Sequence, residues 1–488
     1  MKVMGVVGAG AMGAGIAQIG LTAGLKVILF DMNADALGKA RTDILGRIAR
    51  LVEKGQLSDD VAKAAGDNLV VGGSLADFAS ADVVIEAIVE RLEPKQGLFK
   101  ALEAVVSADC ILATNTSSLA VAAIAAGCAR KERVCGLHFF NPVPLMKLVE
   151  VIVAPATSEA VAEAATALSK TLGKMPVRVK DGPGFLVNLG GRAYTTEALH
   201  IIQEGVADIT TIDTIMREAA GFRMGPIELM DLTGVDVNFP ASTYIYQGYQ
   251  NDPRLKTTTL HESMFNAGRF GRKTKQGFHD YRDDAATAPV PPPAGAPMAF
   301  KAKVLETAPG FDVLRRDHGL DDGEGLGLLA LTSGEDVATA AHRLGLDPAQ
   351  AVAIDFTGLE RNFLTVMGGM GGGEAAAKVA DWLRSRGFGV ATIKDSPGFV
   401  APRILAMVAN LGCEMAQIGV GAPEEIDLAM KLAMNYPKGP LEWAAHFGPR
   451  TVHEILKTLQ VITGSDRYRP SLWLRRRAML GLSIYQRD

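Results

Sequence analysis

The sequence predicts an α/β protein in which a doubly wound N-terminal domain is followed by an all-α domain, a degenerate α/β segment and a second copy of the all-α domain. Three observations predict this order. The chain opens with a strand, glycine turn, helix and strand pattern, and after Pro183 the pattern becomes helix-rich. The segment Lys180–Phe185 is then echoed at Lys394–Phe399, and Met224–Glu228 is echoed at Lys438–Glu442. The repeat indicates that the helical domain is duplicated.

The first sixty or so residues carry the strongest local signal. The apolar run Val3–Val7 leads into Gly-Ala-Gly-Ala-Met-Gly, and a predicted helix at Ala14–Gly24 precedes a second apolar run at Lys26–Phe30. In such a Rossmann-like unit the three glycines allow a tight turn, close approach of a pyrophosphate and close helix packing. We therefore expect a dinucleotide site formed by Gly8, Gly10, Ala11, Met12, Gly13 and Asp31.

Asp31 also indicates which dinucleotide binds. A carboxylate at the end of the second strand accepts hydrogen bonds from ribose hydroxyls and repels a 2′-phosphate. The sequence therefore predicts NAD rather than NADP as the cofactor.

Further strands are expected at Asp82–Ala87 and Ile111–Thr114, after a helical pattern at Asn33–Lys54. Each strand ends in polar residues, in the first case Glu86–Glu90 and in the second Asn115–Ser118. The carboxyl ends of strands line the ligand crevice in doubly wound sheets. The second group is also what a helix cap near Leu119 would require, so both interpretations stay open.

The stretch Leu137–Glu150 holds one imidazole, His138, and one carboxylate, Glu150, among apolar residues. A histidine exchanges protons near neutral pH, and a carboxylate on its far nitrogen sets its tautomer and stabilises its cation. The alternative is a buried structural histidine followed by a turn into a core strand. The neighbouring nucleotide motif favours an acid/base site.

Composition excludes several classes of protein. The chain has 488 residues, is 48% hydrophobic and 21% charged, and carries a net charge of −4, so we expect no nucleic-acid or membrane partner. The basic cluster Arg475–Arg477 is interpreted as a solvated helix face. The four cysteines show no paired spacing, which argues against zinc or disulfides and for a cytoplasmic protein.

The chain divides by pattern into five parts. Helices are expected at Phe185–Gly205, Thr211–Ala219 and Pro226–Leu232 in the first all-α domain, and strands at Leu328–Leu331 and Ala351–Phe356 precede a helix at Gly373–Arg386 in the degenerate segment. Gly368–Gly373 lacks the spacing of a phosphate loop and is interpreted as a loop. The parts are a Rossmann-like domain at 1–183, a helical domain at 184–284, a Pro-rich linker at 285–298, the degenerate α/β segment at 299–393 and the second helical copy at 394–488.

Five motifs occur in order and together resemble the L-3-hydroxyacyl-CoA dehydrogenase family over residues 1 to 284. The motifs are the Gly8, Gly10 and Gly13 triplet, Asn115–Ser118, His138–Pro142, Met146–Glu150 and Pro183–Asn188. The full length and the segment Asp466–Pro470 are most similar to the long bacterial enzymes of phenylacetate breakdown, which oxidise 3-hydroxyadipyl-CoA.

The resemblance implies a role for each motif residue. His138 is the implied catalytic base, Glu150 its orienting partner, and Ser117 and Asn188 the contacts to the reacting oxygen. Lys54 would meet the coenzyme A part of an acyl-CoA thioester substrate. The remaining implied NAD contacts are Glu90, Lys95, Asn115, Asn141 and Lys273.

The resemblance also bears on the second half of the chain. Leu189 stands where relatives carry an arginine, which we expect to alter packing rather than chemistry, and His279 is expected to be structural. Pro402 occupies the place of Asn188 in the second copy, so we expect that copy to lack catalytic parts and to complete a pseudo-dimeric helical core, in a monomer or a homodimer.

Three alternatives remain at this point. A 3-hydroxybutyryl-CoA dehydrogenase would carry the same motifs. A β-hydroxyacid dehydrogenase would need a catalytic lysine in a glycine-containing helix, which is not evident after Pro183. A structural NAD-binding protein would not require Ser117, His138, Glu150 and Asn188 together.

Overall fold

The computed structural model describes residues 1–282 and 300–487, so the predicted linker at 285–298 lies wholly outside the described residues. The described chain forms two compact units, one of residues 1–189 with 418–434 and one of residues 190–417 with 435–488. Within the described residues, no helix combines the length and apolarity needed to cross a bilayer.

The strands are short and mostly buried, as expected for sheets covered by helices on both faces. In the described residues they are β1 (Val3–Val7), β2 (Lys26–Phe30), β3 (Leu69–Val71), β4 (Val83–Glu86), β5 (Ile111–Thr114), β6 (Val134–Phe139), β7 (Leu148–Val153), β8 (Met175–Lys180), β9 (Lys301–Val304), β10 (Asp321–Asp322), β11 (Leu326–Leu329), β12 (Ala351–Asp355), β13 (Phe363–Gly368) and β14 (Gly389–Ile393).

Most of the helices carry one apolar face, and several begin at a Ser, Thr, Asp or Asn cap. In the described residues they are α1 (Ala11–Thr22), α2 (Ala34–Glu53), α3 (Asp59–Asn68), α4 (Leu92–Glu103), α5 (Val121–Ala125), α6 (Glu159–Thr171), α7 (Val187–Gly190), α8 (Arg192–Gln203), α9 (Ile209–Glu218), α10 (Pro226–Thr233), α11 (Val235–Gly248), α12 (Thr259–Asn266), α13 (Pro309–His318), α14 (Val337–Leu344), α15 (Gly373–Ser385), α16 (Ala401–Gln417), α17 (Pro423–Met434), α18 (Pro440–Phe447), α19 (Pro449–Thr463) and α20 (Leu472–Leu480).

The first unit is built on one sheet with the strand order β3-β2-β1-β4-β5-β6-β7-β8. Neighbouring strands are parallel except β6 and β7, which are antiparallel. The chain order reverses between β1 and β4, and ligands bind at such a switch point beside the carboxyl ends of the strands. Residues 418–434, which the sequence analysis assigned to the second helical copy, belong to this unit, where α17 packs against β7 and β8.

The second unit holds the other sheet together with most of the helices of both all-α segments. Its strand order is β10-β9-β11-β12-β13-β14, with only β12 and β13 antiparallel among the described neighbours. Fully buried aromatic side chains such as Phe311 and Trp382 fill the core between this sheet and its helices. The predicted α/β architecture with added helical segments is confirmed.

Both units use the same device after their last strand. The carboxylate of Asp181 accepts hydrogen bonds from the backbone N–H groups of Val121 and Ala122 at the start of α5, at 3.0 and 2.8 Å. Asp395 accepts in the same way from Val337 and Ala338 at the start of α14, at 2.7 and 2.9 Å. The repeat therefore extends into the degenerate α/β segment as well as the helical domain.

Several predicted element bounds are wrong. The first helix begins at Ala11 rather than Ala14, because Gly10 serves as its N-cap and the third glycine lies in its first turn. The helix predicted over Phe185–Gly205 is two helices, because Phe185 has a φ of 49° and Gly191 separates α7 from α8. The helices α11 and α12 were not predicted.

The basic cluster Arg475–Arg477 is not uniformly solvated, which corrects the sequence-based interpretation. Arg475 and Arg476 are exposed, but Arg477 is buried. Its guanidinium carbon lies 3.4 Å from the centroid of the Trp473 ring, and its Nε donates to the carbonyl of Gln486 at 2.9 Å. The planar cation stacks on the indole and is therefore part of the local core.

Within the second unit, a buried ion network joins the two helical copies. The Glu197 carboxylate of α8 accepts from Arg403 of α16 at 2.7 Å and from Arg467 at 2.6 Å. The hydroxyl of Tyr468 also donates to Glu197, at 2.9 Å. The two arginines lower the pKa of Glu197 to about 2 against the burial that would raise it. Glu197 is therefore ionised in the folded state.

A buried histidine gives the second unit a pH-dependent stability. His261 is 1% exposed and hydrogen-bonds Thr257 and Asn238, and burial, together with Arg192, lowers its pKa to about 3. The unfolded chain binds a proton below about pH 6.5 and the folded chain does not, so stability is lost as pH falls from 6.5 towards 3.

We expect this histidine to reduce the free energy of unfolding by about 2 kcal/mol between pH 7 and pH 5. The variant His261→Gln keeps a hydrogen-bonding side chain but cannot titrate. Between pH 7 and pH 5 its free energy of unfolding should therefore fall by about 2 kcal/mol less than that of the natural protein. Urea unfolding of both proteins at the two pH values measures the difference. Equal losses would contradict the assignment of a depressed pKa to His261.

Candidate active site

The glycine turn after β1 has the backbone geometry that the sequence predicted. Gly8 has a φ of 106°, a conformation that L side chains rarely adopt. A Cβ added to Gly13 would lie 1.8 Å from the carbonyl oxygen of Gly8, so only glycine permits α1 to pack this closely on the turn. A Cβ added to Gly10 would meet nothing within 4 Å, which leaves the turn open to a ligand.

Asp31 closes this site at the end of β2. Its carboxylate accepts from the backbone N–H of Ala9 at 2.7 Å and from that of Asn33 at 2.9 Å. A cavity of 690 Å³ borders the turn, lined by Gly8, Gly10, Asp31 and apolar side chains that include Ile88 and Leu98. An apolar cavity with one acceptor at its edge suits an adenosine, and the start of α1, with Ala11 exposed and Met12 half-buried, offers free N–H groups to phosphates. The residues present therefore suit a dinucleotide.

Two neighbouring glycines allow a matched test of this site. We expect Gly13→Ala to lower the free energy of unfolding by about 1–3 kcal/mol, because the added methyl group forces the backbone of the turn apart. We expect Gly10→Ala to change stability by less than about 0.5 kcal/mol but to weaken NAD binding about tenfold or more. Thermal melts and NADH fluorescence titrations measure the two effects. The same effect from both substitutions would contradict the distinct roles of the two glycines.

The imidazole and carboxylate predicted from the sequence lie directly opposite each other on β6 and β7. His138 and Glu150 are register partners in this antiparallel pair, and the His138 Nδ1 and Glu150 Oε2 atoms are 2.5 Å apart. Glu150 is fully buried, and its other oxygen accepts from the backbone N–H groups of Leu186 and Val187 at 3.0 and 2.8 Å. Both oxygens of Glu150 accept hydrogen bonds, so Nδ1 is the donor of the pair and Nε2 is left as the nitrogen that can take up a proton.

The imidazole lies among aromatic rings. His138 is 6% exposed, and its ring centroid lies 4.5 Å from that of Phe140 and 5.9 Å from that of Phe185. These contacts fix the ring plane while Glu150 fixes the tautomer. The sequence-based alternative, a histidine packed only for its bulk, does not account for a buried carboxylate bonded to its nitrogen.

Glu90 organises the polar loop that follows β5. One of its carboxylate oxygens accepts from the Thr116 hydroxyl at 2.6 Å and from the backbone N–H groups of Ser117 and Ser118 at 2.8 and 3.1 Å. Burial would raise the pKa of Glu90, but the Thr116 hydroxyl and the Lys95 ammonium outweigh it and lower that pKa. Glu90 therefore stays ionised and holds the Ser117 loop in place.

Lys95 is buried rather than directed into solvent. Its ammonium lies 2.5 Å from Glu86 and 3.2 Å from Glu90. The Glu86 carboxylate also accepts from the Thr114 hydroxyl at 2.7 Å and the Ile88 N–H at 2.7 Å. The structure thus shows Lys95 joining two carboxylates, while its contact with a cofactor stays a prediction. Sequence reasoning missed the role of Glu86, although a carboxylate ending a buried strand was a usable signal.

Two asparagines link the loops of the site. The side-chain oxygen of Asn115 accepts from the backbone N–H of Phe139 at 2.8 Å, which ties the end of β5 to the strand that carries His138. The side-chain nitrogen of Asn188 donates to the carbonyl of Ser117 at 3.3 Å. Glu150 is hydrogen-bonded to His138 and to the N–H of Val187, and the next residue, Asn188, is hydrogen-bonded to Ser117, so the four site residues are linked through one short backbone segment.

Three other residues predicted to contact coenzyme A or NAD have no described interaction with the residues of the site. Lys54 is exposed at the end of α2, and Asn141 is exposed just after β6. Lys273 belongs to the second unit, where its ammonium lies 2.6 Å from Asp236. The roles of these three residues toward coenzyme A or NAD stay predictions.

His279 and Leu189, for which no catalytic role was predicted, both have surroundings that fit a structural role. His279 pairs with the buried Asp213 at 2.7 Å, and this hydrogen bond raises its pKa. The Asp213 carboxylate also accepts from the N–H of Ile227 at 2.9 Å, at the start of α10. Leu189 is buried, where an arginine would need a partner.

Comparison with known proteins follows the same division of the chain. Residues 3–182 match the family described as 3-hydroxyacyl-CoA dehydrogenase, NAD binding domain, and residues 184–281 and 398–483 match the 3-hydroxyacyl-CoA dehydrogenase, C-terminal domain. The motif-based resemblance is thereby confirmed, as is NAD as the cofactor of the first domain.

Individual relatives extend the match to the full length. A 3-hydroxyadipyl-CoA dehydrogenase of Escherichia coli (strain K12) is 36% identical over 480 residues, which cover 98% of each chain. The crystal structure of a 3-hydroxybutyryl-CoA dehydrogenase from Escherichia coli K12 has a TM-score of 0.89 at 36% identity, again over 98% of each chain. A 3-hydroxybutyryl-CoA dehydrogenase of Bradyrhizobium diazoefficiens is 38% identical over 291 residues, which cover 60% of this chain and 98% of the relative.

Proposed function

The chain belongs to the 3-hydroxyacyl-CoA dehydrogenase family, and from this premise we propose that it oxidises (S)-3-hydroxyadipyl-CoA to the 3-oxoacyl-CoA thioester. The observation that carries the reaction is the buried pair of His138 and Glu150, which stands beside the polar loop of Ser117. The chain is an NAD-dependent oxidoreductase, and NAD when bound supplies the ring that accepts a hydride.

In this proposal His138 moves the proton of the reaction. Its Nε2 takes the proton from the C3 hydroxyl of the substrate during oxidation and returns it to the C3 oxygen during reduction. Glu150 is fully buried and hydrogen-bonded to the ring, so it stabilises the imidazolium that forms. Because two backbone N–H groups fix the other oxygen of Glu150, the neutral imidazole keeps the tautomer that has its proton on Nδ1.

Ser117 and Asn188 are proposed to hold the reacting oxygen. Ser117 is exposed at the carboxyl end of the sheet, and the loop that carries it is fixed by Glu90. Asn188 is tied to the same loop through the Ser117 carbonyl. A hydroxyl and an amide donor held by a rigid loop can orient a C3 oxygen and stabilise charge that develops on it.

The residues proposed to hold NAD are those that form the open glycine turn and its surroundings. Gly10 leaves the start of α1 accessible to a pyrophosphate, Gly8 and Gly13 allow the tight turn that precedes it, and Asp31 offers its carboxylate to ribose hydroxyls. Glu90, Lys95, Asn115, Asn141 and Lys273 complete the proposed NAD set, and Lys54 is the proposed coenzyme A contact.

The choice of a dicarboxylic substrate rests on the length of the chain. The full-length match carries the name 3-hydroxyadipyl-CoA dehydrogenase, whereas the shorter 3-hydroxybutyryl-CoA relative covers 60% of this chain. The alternative is 3-hydroxybutyryl-CoA, which the full-length crystal structure names. A place in phenylacetate breakdown and in the cytoplasm is part of the same proposal. The cytoplasmic location is supported by the four cysteines, all within the described residues, none of which forms a disulfide.

The test of substrate choice is the ratio of kcat/KM for (S)-3-hydroxyadipyl-CoA to that for (S)-3-hydroxybutyryl-CoA, which measures discrimination directly. We expect a ratio of about tenfold or more in favour of the dicarboxylic substrate, since a site built for a polar end rejects a chain that lacks it. A methyl ester of the adipyl chain serves as the matched control for length. A ratio below one would replace the proposal by its 3-hydroxybutyryl alternative.

We further propose that the two helical copies form a pseudo-dimeric core within one chain, so that the enzyme acts as a monomer or as a homodimer. The packing of α8 against α16 and the shared Glu197 network support this arrangement in the second unit. The second copy has Pro402 in the sequence place of Asn188, so its contribution to the dehydrogenase is structural.

A further inference from the structure

A further cavity lies in the second unit, between the sheet of β9–β14 and the helices of the second copy. The cavity has a volume of 340 Å³, within the range of small-molecule sites. Its lining includes Asp355 at the end of β12, the rings of Phe356, Phe399 and Phe447, and Pro402. None of these residues takes part in the proposed dehydrogenase reaction.

The strand register shows that Asp355 occupies the place of His138 in the repeat. His138 pairs with Glu150 across β6 and β7, and Asp355 pairs with Thr365 across the antiparallel strands β12 and β13. In each sheet, the two residues of the pair face each other across the one antiparallel pair of strands among those described.

The next strand fixes the correspondence. Glu150 pairs with Val177 on β8, and Thr365 pairs with Ala391 on β14. Val177 stands before the segment Lys-Asp-Gly-Pro-Gly-Phe, and Ala391 stands before Lys-Asp-Ser-Pro-Gly-Phe. The number of intervening residues is the same in both cases. The cavity is therefore the counterpart of the active site, rebuilt with a carboxyl group where the first copy has an imidazole.

Asp355 is incompletely satisfied by the protein. It is 5% exposed, and its Oδ1 atom accepts from the backbone N–H and the hydroxyl of Thr357 at 2.9 and 2.6 Å. Its Oδ2 atom is buried without a hydrogen-bond partner among the described residues. Buried polar atoms of this kind are rare in native proteins, because each costs the free energy of desolvation. Burial raises the pKa of Asp355 to about 6, so the group is largely ionised at neutral pH.

The remaining lining indicates which ligand would complete this carboxylate. Glu360 at the exposed rim adds a second acidic group, and the lining within the described residues contains no lysine or arginine. Three phenylalanine rings surround the cavity. A carboxylate among aromatic rings attracts an organic ammonium ion, by charge and by cation–π interaction.

We propose that this cavity binds a small organic ammonium ion, with its nitrogen against the carboxylate of Asp355 and its apolar body against Phe356, Phe399 and Phe447. The volume admits a ligand of about ten non-hydrogen atoms. The inference does not depend on the substrate of the dehydrogenase, because it concerns only residues of the degenerate α/β segment and the second helical copy.

Isothermal titration of the full-length protein with phenethylammonium chloride tests the proposal. We expect a dissociation constant on the order of 1 mM or tighter, as is reasonable for a ligand of this size. The variant Asp355→Asn should weaken binding about tenfold or more, because the neutral amide cannot pair with the ammonium charge. The control Asp381→Asn, which removes an exposed carboxylate of α15 outside the cavity, should leave affinity unchanged.

Two probes of the same shape keep the test decisive if Asp355→Asn does not fold. The neutral 2-phenylethanol and the anionic 3-phenylpropanoate should bind the natural protein at least about tenfold more weakly than phenethylammonium. Equal affinity for all three probes, absence of binding, or undiminished binding by a folded Asp355→Asn variant would each overturn the proposal and leave a cavity filled by solvent.

Discussion

Replacing His138 by alanine is expected to lower kcat about 10²–10⁴-fold while leaving NADH affinity nearly unchanged. The side chain removed is the only imidazole held by a buried carboxylate in the described part of the first unit, and Glu150 lies 2.5 Å from it. The cavity proposed to hold NAD lies in a different part of that unit, around Gly8 and Asp31. Steady-state rates with acetoacetyl-CoA and NADH, together with fluorescence titration of NADH, measure both quantities.

A matched control for this substitution is His342→Ala. His342 is an exposed histidine on α14 of the second unit, so its loss should leave kcat unchanged. Equal turnover in the His138→Ala variant and the natural protein would remove His138 from the reaction. A parallel loss of NADH affinity would instead indicate that the substitution disturbs the fold of the first unit.

Replacing Glu197 by glutamine is expected to lower the free energy of unfolding of the second unit by about 3–5 kcal/mol, or its melting temperature by on the order of 10 °C. The substitution leaves Arg403 and Arg467, both almost fully buried, without their shared anion. Arg403 keeps Glu204 as a partner, but Arg467 is left with the Thr196 hydroxyl and backbone carbonyls such as that of Lys256. Removing one member of a buried network costs more than the network itself stabilises.

The variant Glu204→Gln provides the comparison. Glu204 also pairs with Arg403, but its side chain is 42% exposed, so solvent compensates for its loss and the cost should stay below about 1 kcal/mol. Differential scanning calorimetry of both variants measures the two costs. Similar costs for the two substitutions would contradict the claim that Glu197 is the ion on which the pairing of the two helical copies depends.

The first βαβ unit could be predicted because its signals are local. The strands Val3–Val7 and Lys26–Phe30 have the predicted bounds, since each is an apolar run bounded by turn residues. The role of each glycine also follows from local backbone geometry, as the φ of Gly8 and the close approach at Gly13 show. The start of α1 was predicted at Ala14 rather than Ala11 because Gly13, the third residue of the helix, was assigned to the preceding turn.

The supporting contacts of the site depend on distant parts of the chain and could not be predicted. His138 and Glu150 were found from their sequence, but the N–H groups that fix Glu150 come from Leu186 and Val187. Glu90 was predicted as an NAD contact, which stays a prediction, and its hydrogen bonds also hold the loop of Ser117. Such contacts require the register of neighbouring strands and loops, which single-sequence patterns do not contain.

The same limit explains the errors in the second half. Arg477 belongs to a run of three arginines, and only the position of Trp473 on the same helix places one of them inside. Asp355 has no motif around it, and its equivalence to His138 appears only once β12, β13 and β14 are paired. The echo of Lys180–Phe185 revealed the duplication, but it could not show which residue had replaced the imidazole.

The most direct measurement is the absorbance of NADH formed when the protein is mixed with NAD and (S)-3-hydroxyadipyl-CoA. Dehydrogenation predicts a rise in absorbance that requires both the cofactor and the CoA thioester, that is absent with the (R) enantiomer, and that falls to the background rate in His138→Ala. No rise with this substrate or with (S)-3-hydroxybutyryl-CoA, from a folded protein that binds NADH, would contradict the assignment of a dehydrogenase reaction to His138 and Glu150.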